Sequence, residues 1–199
     1  MVHLPDILAL AQKSGLIRAR ELKHAGLRSA ELGKLVAEGR LVRLKRGLYA
    51  PAGRPSSEHD NLAIVAIKYP QVVFCLLTAL RIHDLTTQSP HEIWVAVDVK
   101  ARAPALDYPP LRVVRFSGDA LHEGNEQKSP DGVAQLLVTS VEKTIVDCFK
   151  FRNKIGLDIA IEALHQAWQE KRISMDELWR CAKICRVHNV MRPYLESLN

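Results

Sequence analysis

Several groups of side chains have the types and spacings that chemistry uses. Asp98 with Lys100, and Glu142 with Lys143, each follow a predicted strand. Carboxylates and a lysine at neighbouring strand ends are how a metal-dependent nuclease holds Mg²⁺ against a scissile phosphate. Glu142, Lys143 and Asp147 fit at least as well on the solvated face of a helix whose apolar side is Val141, Thr144, Ile145 and Cys148. Cys181, Cys185 and His188 recur at i, i+4 and i+7 of a predicted helix, which would supply three of the four ligands zinc wants. Leu178 and Ile184 lie near the same face, so buried thiols are the better reading. His83-Asp84 and His91-Glu92 bracket Ser89 as acid/base pairs around a hydroxyl, yet no nucleophile elbow surrounds it. Phosphate-loop patterns are absent. The expectation is therefore a protein without catalytic residues, metal ligands or a cofactor.

A different chemistry is written in "LVRLKRGLYAP", residues 41–51. Leu41, Arg43 and Lys45 alternate with Val42, Leu44 and Arg46 at period two, and a turn at Lys45-Arg46-Gly47 leads into Leu48-Tyr49-Ala50. That is a hairpin with three cations near its tip and no acid. Core packing does not explain such a tip, because a lone solvated charge adds little stability. Neutralising phosphates does explain it.

The elements upstream fit this purpose. Ile7, Leu8, Leu10 and Ala11 follow Pro5-Asp6 at helical spacing and stop at Ser14-Gly15. "RARELKHAG" (18–26) reads as a second helix ending at Gly26, and "LRSAELGKLVAEG" (27–39) as a third, with Ser29 as N-cap and Gly39 as the stop. Three short helices followed by a basic hairpin make a winged helix-turn-helix, with the third helix as the recognition helix. With Leu32, Leu35 and Val36 packed inward, Arg28, Ser29, Glu31 and Lys34 face outward. Arg28 is suited to a bidentate guanine contact, and Arg18 and Arg20 at the start of the second helix to phosphates. The expected DNA-binding set is Arg18, Arg20, Arg28, Ser29, Lys34, Arg43, Lys45 and Arg46.

Charge distribution supports this independently. Residues 1–54 hold 11 Lys+Arg against four acids, a net of +7, while the rest of the 199-residue chain carries 17 basic and 18 acidic residues. The whole excess of +6 therefore belongs to the N-terminal part, which points to a polyanionic partner for that part alone. "PAGRPSSEHD" (51–60) reads as a short, semi-stiff linker. The expected division is a DNA-binding domain over 1–54 and a second domain over 55–199.

Beyond the linker the pattern is mixed α/β. "LAIVAIKYP" (62–70) predicts a buried helix, "VVFCLL" (72–77) a buried strand, and "TALRIHDL" (78–85) a helix capped by Thr78. "EIWVAVDV" (92–99), "LRVVRF" (111–116) and "VAQLLVTS" (133–140) have strand composition. The C-terminal third is helical: from about residue 140, over 156–171, and over 174–190, where Ser174 opens a capping box with Glu177. The fold class expected is thus a winged helix-turn-helix followed by an α+β domain ending in helices. No apolar run approaches membrane-spanning length and no secretory leader is read at Met-Val-His-Leu-Pro. Together with four cysteines in apolar segments, this suggests a cytoplasmic protein with no membrane partner.

The hairpin, "LTALRIHDLTTQSPHEIWVAV", and "VTSVEKTIVDCFKFRNKIGLDIAIEALHQA" with "DELWRCAKICRVHNVMRPYLESL" resemble the AbiEi-type antitoxins over essentially the whole chain. The most specific parts are GLYxP at Gly47 to Pro51 and TS-x-E-K-T-x-x-D at Thr139 to Asp147. The resemblance implies a transcriptional regulator of a type IV (abortive infection) toxin-antitoxin locus. Such a regulator binds operator repeats in double-stranded DNA of its own promoter and represses the operon. Its C-terminal domain counteracts a nucleotidyltransferase-type toxin without need of a stable complex. A nuclease targeted by the winged helix, or a regulator sensing a small ligand through the second domain, are the alternatives.

Overall fold

The computed structural model describes residues 7, 16–19, 29–45, 47–54, 59–130 and 134–198, with the backbone alone at Ser29. The chain divides into two compact units, Met1–Lys68 with Ser129–Gln135, and Tyr69–Lys128 with Leu136–Asn199. The first unit therefore continues past Arg54.

In the first unit, strand β1 (Ile17–Arg18) precedes helix α1 (Ser29–Ala37), and β2 (Leu41–Lys45) and β3 (Leu48–Pro51) form the expected hairpin. The three strands make one antiparallel sheet in the order β1-β3-β2, with Ile17 opposite Tyr49 and Arg43 opposite Tyr49 from the other side. An irregularity between Arg43 and Lys45 breaks the strict alternation near the tip. Leu32 and Leu35 are fully buried with Ile7, Ile17 and Leu41, so the three-residue spacing on α1 selects its inner face as expected. The helix closes with the Arg40 amide on the Leu35 carbonyl and the Gly39 amide on that of Val36. Gly39 takes φ +67°, the left-handed residue this closure needs.

Two local expectations change here. Arg18 lies on β1, with helical backbone resuming only at Ala19, so the second helix does not begin at Arg18. The first helix beyond Ile7 and the second over 20–28 fall outside the described residues. Arg54, counted among the linker cations, is held within the unit: its Nη1 donates to both carboxylate oxygens of Asp60, at 2.7 and 2.9 Å. Asp60 is in the first turn of α2 (His59–Lys68), whose residues Leu62 to Ala66 are buried.

The second unit is a five-stranded mixed sheet, order β6-β5-β4-β8-β7, from β4 (Val73–Phe74), β5 (Ile93–Asp98), β6 (Leu111–Phe116), β7 (Asn125–Lys128) and β8 (Leu136–Thr139). Its helices are α3 (Leu76–Ile82), α4 (Asp119–His122), α5 (Val141–Lys150), α6 (Arg152–Ile155), α7 (Leu157–Gln169), α8 (Met175–Ile184) and α9 (His188–Glu196). Helix α5 is central and touches α3, α7, α8 and α9. The core joins sheet residues such as Trp94, Val114 and Phe116 to Ile145, Phe149, Leu164, Leu178 and Met191.

The predicted strand over 72–77 is only Val73–Phe74, because the chain turns at Cys75 and Leu76 starts α3 at φ +50°. Thr78 is consequently inside the helix rather than its cap, and its hydroxyl accepts from the Trp94 amide at 2.8 Å, tying α3 to β5. The predicted helix over 174–190 is two helices. Arg186 adopts φ +59°, the Val187 amide reaches the Ala182 carbonyl, and α9 starts afresh at His188. Ser174 does cap α8, accepting from the Glu177 amide.

Candidate nucleic-acid interface

The elements expected to meet DNA are α1 and the hairpin. Lys34 is exposed on α1 and Arg43 is exposed on β2; Lys45 and Arg18 are half-buried on β2 and β1. Arg18 stands opposite Leu48, and Lys45 pairs with the same residue from the far side of β3. One small sheet thus brings Arg18 together with Arg43 and Lys45, from which it is far apart in sequence. The backbone of Ser29 opens α1. Arg20, Arg28 and Arg46, and the side chain of Ser29, lie outside the described residues. Glu31 Oε2 is buried with no hydrogen-bond partner among the described residues.

What this arrangement can do is electrostatic. Exposed guanidinium and ammonium groups on a rigid two-stranded ribbon beside a short helix can neutralise phosphates on either side of a groove that the helix enters. Val42 is also 49% exposed on the same ribbon, an apolar residue that the core does not use.

One charged pair of the second unit is closed to solvent. Lys143 and Asp147, expected on a solvated helix face, are 1% and 0% exposed and form an ion pair inside α5. Asp147 also accepts from the Cys185 thiol at 3.5 Å, and Lys143 Nζ lies 4.7 Å from the centre of the Phe116 ring. Burial pushes the Asp147 carboxyl up, with Lys143 pulling it back. Burial works against the Lys143 ammonium too, but Asp147 together with the Cys185 and Cys75 thiols outweighs it, leaving Lys143 above the usual lysine range. Gly124 makes room for this lysine: a Cβ there would stand 3.0 Å from Lys143 Cβ. Asp147 so enclosed cannot meet a scissile phosphate, while Asp98, Lys100 and Glu142, the other residues of the nuclease alternative, are exposed or half-buried.

Cys181, Cys185 and His83 are likewise buried, whereas Asp84, Ser89 and His91 are exposed. Cys181 and Cys185 are buried, and burial raises their thiols to about 12 and about 11, far from thiolate chemistry at neutral pH. His188 starts the next helix, so the three do not share a helix face. His83 is buried, its Nε2 within 2.7 Å of the Thr139 carbonyl and its Nδ1 within 3.0 Å of Lys128 Nζ. The TS-x-E-K-T-x-x-D segment is the staple that holds β8 to α5. The Thr139 and Thr144 hydroxyls bond each other at 2.6 Å, Thr144 also donates to the Thr139 carbonyl, and Ser140 caps α5 through the Lys143 amide.

Comparison with known proteins bears on the segment that carries these cations. Residues 5–52 match the AbiEi antitoxin transcriptional regulator family. That stretch contains α1, the whole wing and every expected DNA-binding residue, so the AbiEi resemblance read from the hairpin holds for the segment that carries the charge. The family so matched is described as an antitoxin and transcriptional regulator. The chain is similar in fold to the crystal structure of the RV2827C protein from Mycobacterium tuberculosis, at TM-score 0.55 and 16% identity. The likeness covers 89% of this chain and 71% of that one, so it includes both units. No curated protein matches the chain. Among the described residues no helix is long and apolar enough to cross a membrane.

Proposed function

We propose that the protein is a DNA-binding repressor and the antitoxin of a type IV toxin-antitoxin system acting in phage defence by abortive infection. It binds repeats in the promoter of its own operon and represses transcription there. The observation that carries this reading is the AbiEi match over residues 5–52, which coincides with the segment holding the chain's whole positive excess. Residues 1–54 serve as the DNA-binding domain. Arg28, Ser29 and Lys34 read base edges, while Arg43, Lys45 and Arg46 hold phosphates, as do Arg18 and Arg20. A single winged helix covers limited DNA, so two or more copies occupy the repeats. Residues 55–199 carry the antitoxic function against a nucleotidyltransferase-type toxin, and the protein works in the cytoplasm, where its four free thiols stay reduced.

Fluorescence anisotropy with the DNA immediately upstream of the gene against a scrambled duplex, across a salt series, tests the reading. A preference of about a hundredfold or more for the upstream DNA supports specific repression. Equal affinity for both duplexes, or none, defeats it.

A further inference from the structure

The parallel pair β5 and β6 is joined by the crossover 99–110, which has no regular structure of its own and is nevertheless fastened along its length. Arg115 Nη1 donates to the carbonyls of Asp98, Val99 and Ala101 at 2.9 to 3.0 Å. Farther along, the Tyr69 hydroxyl donates to the Ala105 carbonyl at 2.6 Å and accepts from the Ala105 amide at 3.0 Å. A connection held in this way presents fixed walls. Between it, the carboxyl end of β5, the start of β4 and α4 lies a cleft of about 520 Å³. That size suits a small organic ligand, and the crevice beyond the carboxyl ends of parallel strands is where α/β sheets commonly bind one.

The lining specifies the ligand's chemistry. Val72, Val97, Pro104 and Leu121 supply apolar wall. Asp98 and Arg102 line the same cleft with opposite charges, yet neither has a salt-bridge partner among the described residues. Asp98 commits one oxygen to the Lys100 amide at 2.8 Å, which fixes its direction and leaves the second oxygen available. A guanidinium presents paired donors that match a carboxylate, and a carboxylate accepts from an ammonium. A ligand bearing both groups on one carbon, with an apolar body, satisfies all three features. We propose that this cleft binds a free α-amino acid with an apolar or aromatic side chain, making the second unit a ligand-binding domain. This goes beyond the repressor reading and does not depend on it.

Isothermal titration of the full chain with L-phenylalanine and L-leucine tests the site. N-acetyl-L-phenylalanine, which lacks the ammonium, and L-phenylalaninamide, which lacks the carboxylate, serve as single-charge probes. Binding of one or both free amino acids, weakened about tenfold or more in each blocked form, is the expected result. Asp98→Asn, which keeps an acceptor for the Lys100 amide, and Arg102→Gln, at an exposed position, should each weaken binding by a similar factor with circular dichroism unchanged. Three results overturn the proposal: no heat with any of the standard L-amino acids, equal binding of the blocked forms, or unchanged binding in both variants. Loss of DNA affinity in wing variants leaves each of these outcomes readable, because none uses DNA.

Discussion

The wing of the first unit and helix α5 of the second contain the same kinds of residues and use them in opposite ways. On β2, Arg43 stands in solvent with Lys45 half-covered beside it, and no acid accompanies them in the hairpin. On α5, Lys143 and Asp147 are turned inward, paired with each other one helical turn apart and sealed by Phe116, Gly124 and Cys185. Charge that a segment carries in excess stays near water; a lysine and a carboxylate paired with each other can be taken into a core, where they hold elements in place. The segment with the net positive charge therefore keeps its described cations at the surface, whereas in the neutral segment a lysine and an aspartate have become part of the core.

The sharpest way to break this contrast is at α5. Lys143→Met leaves the Asp147 carboxylate buried without its cation, and removing one member of a buried pair costs about 3–5 kcal/mol. Urea denaturation followed by circular dichroism should show a loss of that size, and replacing both residues, Lys143→Met with Asp147→Leu, should restore most of it. A loss below about 1 kcal/mol for the single change would mean that α5 is solvated after all.

The wing predicts a different signature. Arg43→Ala with Lys45→Ala should leave the unfolding midpoint nearly unchanged and weaken binding to all duplexes alike. The slope of log affinity against log salt should fall by about 1 for each phosphate that is no longer neutralised. Should affinity drop for the upstream duplex alone, with the slope intact, these residues would be reading bases, and the division of labour between wing and helix would be reversed.

A smaller effect tests how α1 is presented to DNA. Gly39→Ala forces an L-residue into φ +67° and should cost about 1 kcal/mol, read as a lower midpoint of the first unit. No described atom lies within 4 Å of an added Cβ there, so backbone strain alone would be measured.

Periodicity and capping carried much of the architecture. The β2–β3 hairpin, β5, β6, the Ser174 cap and the inner face of α1 follow from alternation, three-residue spacing and cap chemistry. Three features escaped for identifiable reasons. Strand β1, two residues long, has no period to detect, which hid the placement of Arg18 beside the wing. Strand β7, "NEQK", is polar throughout and is a strand only because β8 pairs with it. The break at Arg186 has no glycine or proline to announce it; Asp84, Lys171 and Arg186 all close helices at positive φ with the same pair of backbone bonds that Gly39 makes. The buried pair did leave a signal. Residues 144, 145, 146, 148 and 149 are apolar or threonine, which surrounds a helix with core on nearly every side, so a Lys–Asp pair at i, i+4 within that run has no solvated face to occupy.

His83 offers the gentlest test of the contrast, because it is a buried titratable group held neutral by its surroundings. Burial lowers its pKa below 6.5, and the Lys128 ammonium lowers it further; the Thr139 carbonyl and Glu126 oppose this without reversing it. With Nε2–H donating to Thr139, Nδ1 is left to accept from Lys128, and that acceptor is what a proton would remove. In the unfolded chain the imidazole titrates near the ordinary value. Above it, His83 is neutral in both states and its packing contributes fully. As pH falls below about 6.5, the unfolded chain takes up a proton that the folded one refuses, and stability declines until the folded pKa is passed. Urea midpoints at pH 7.5, 6.5 and 5.5 should therefore fall for the native protein. His83→Gln, which keeps a side-chain donor for Thr139 but has nothing to protonate, should be less stable at pH 7.5 and show a shallower decline. Parallel declines would show that the acid sensitivity of the second unit arises elsewhere, and that its buried polar groups are not all of one kind.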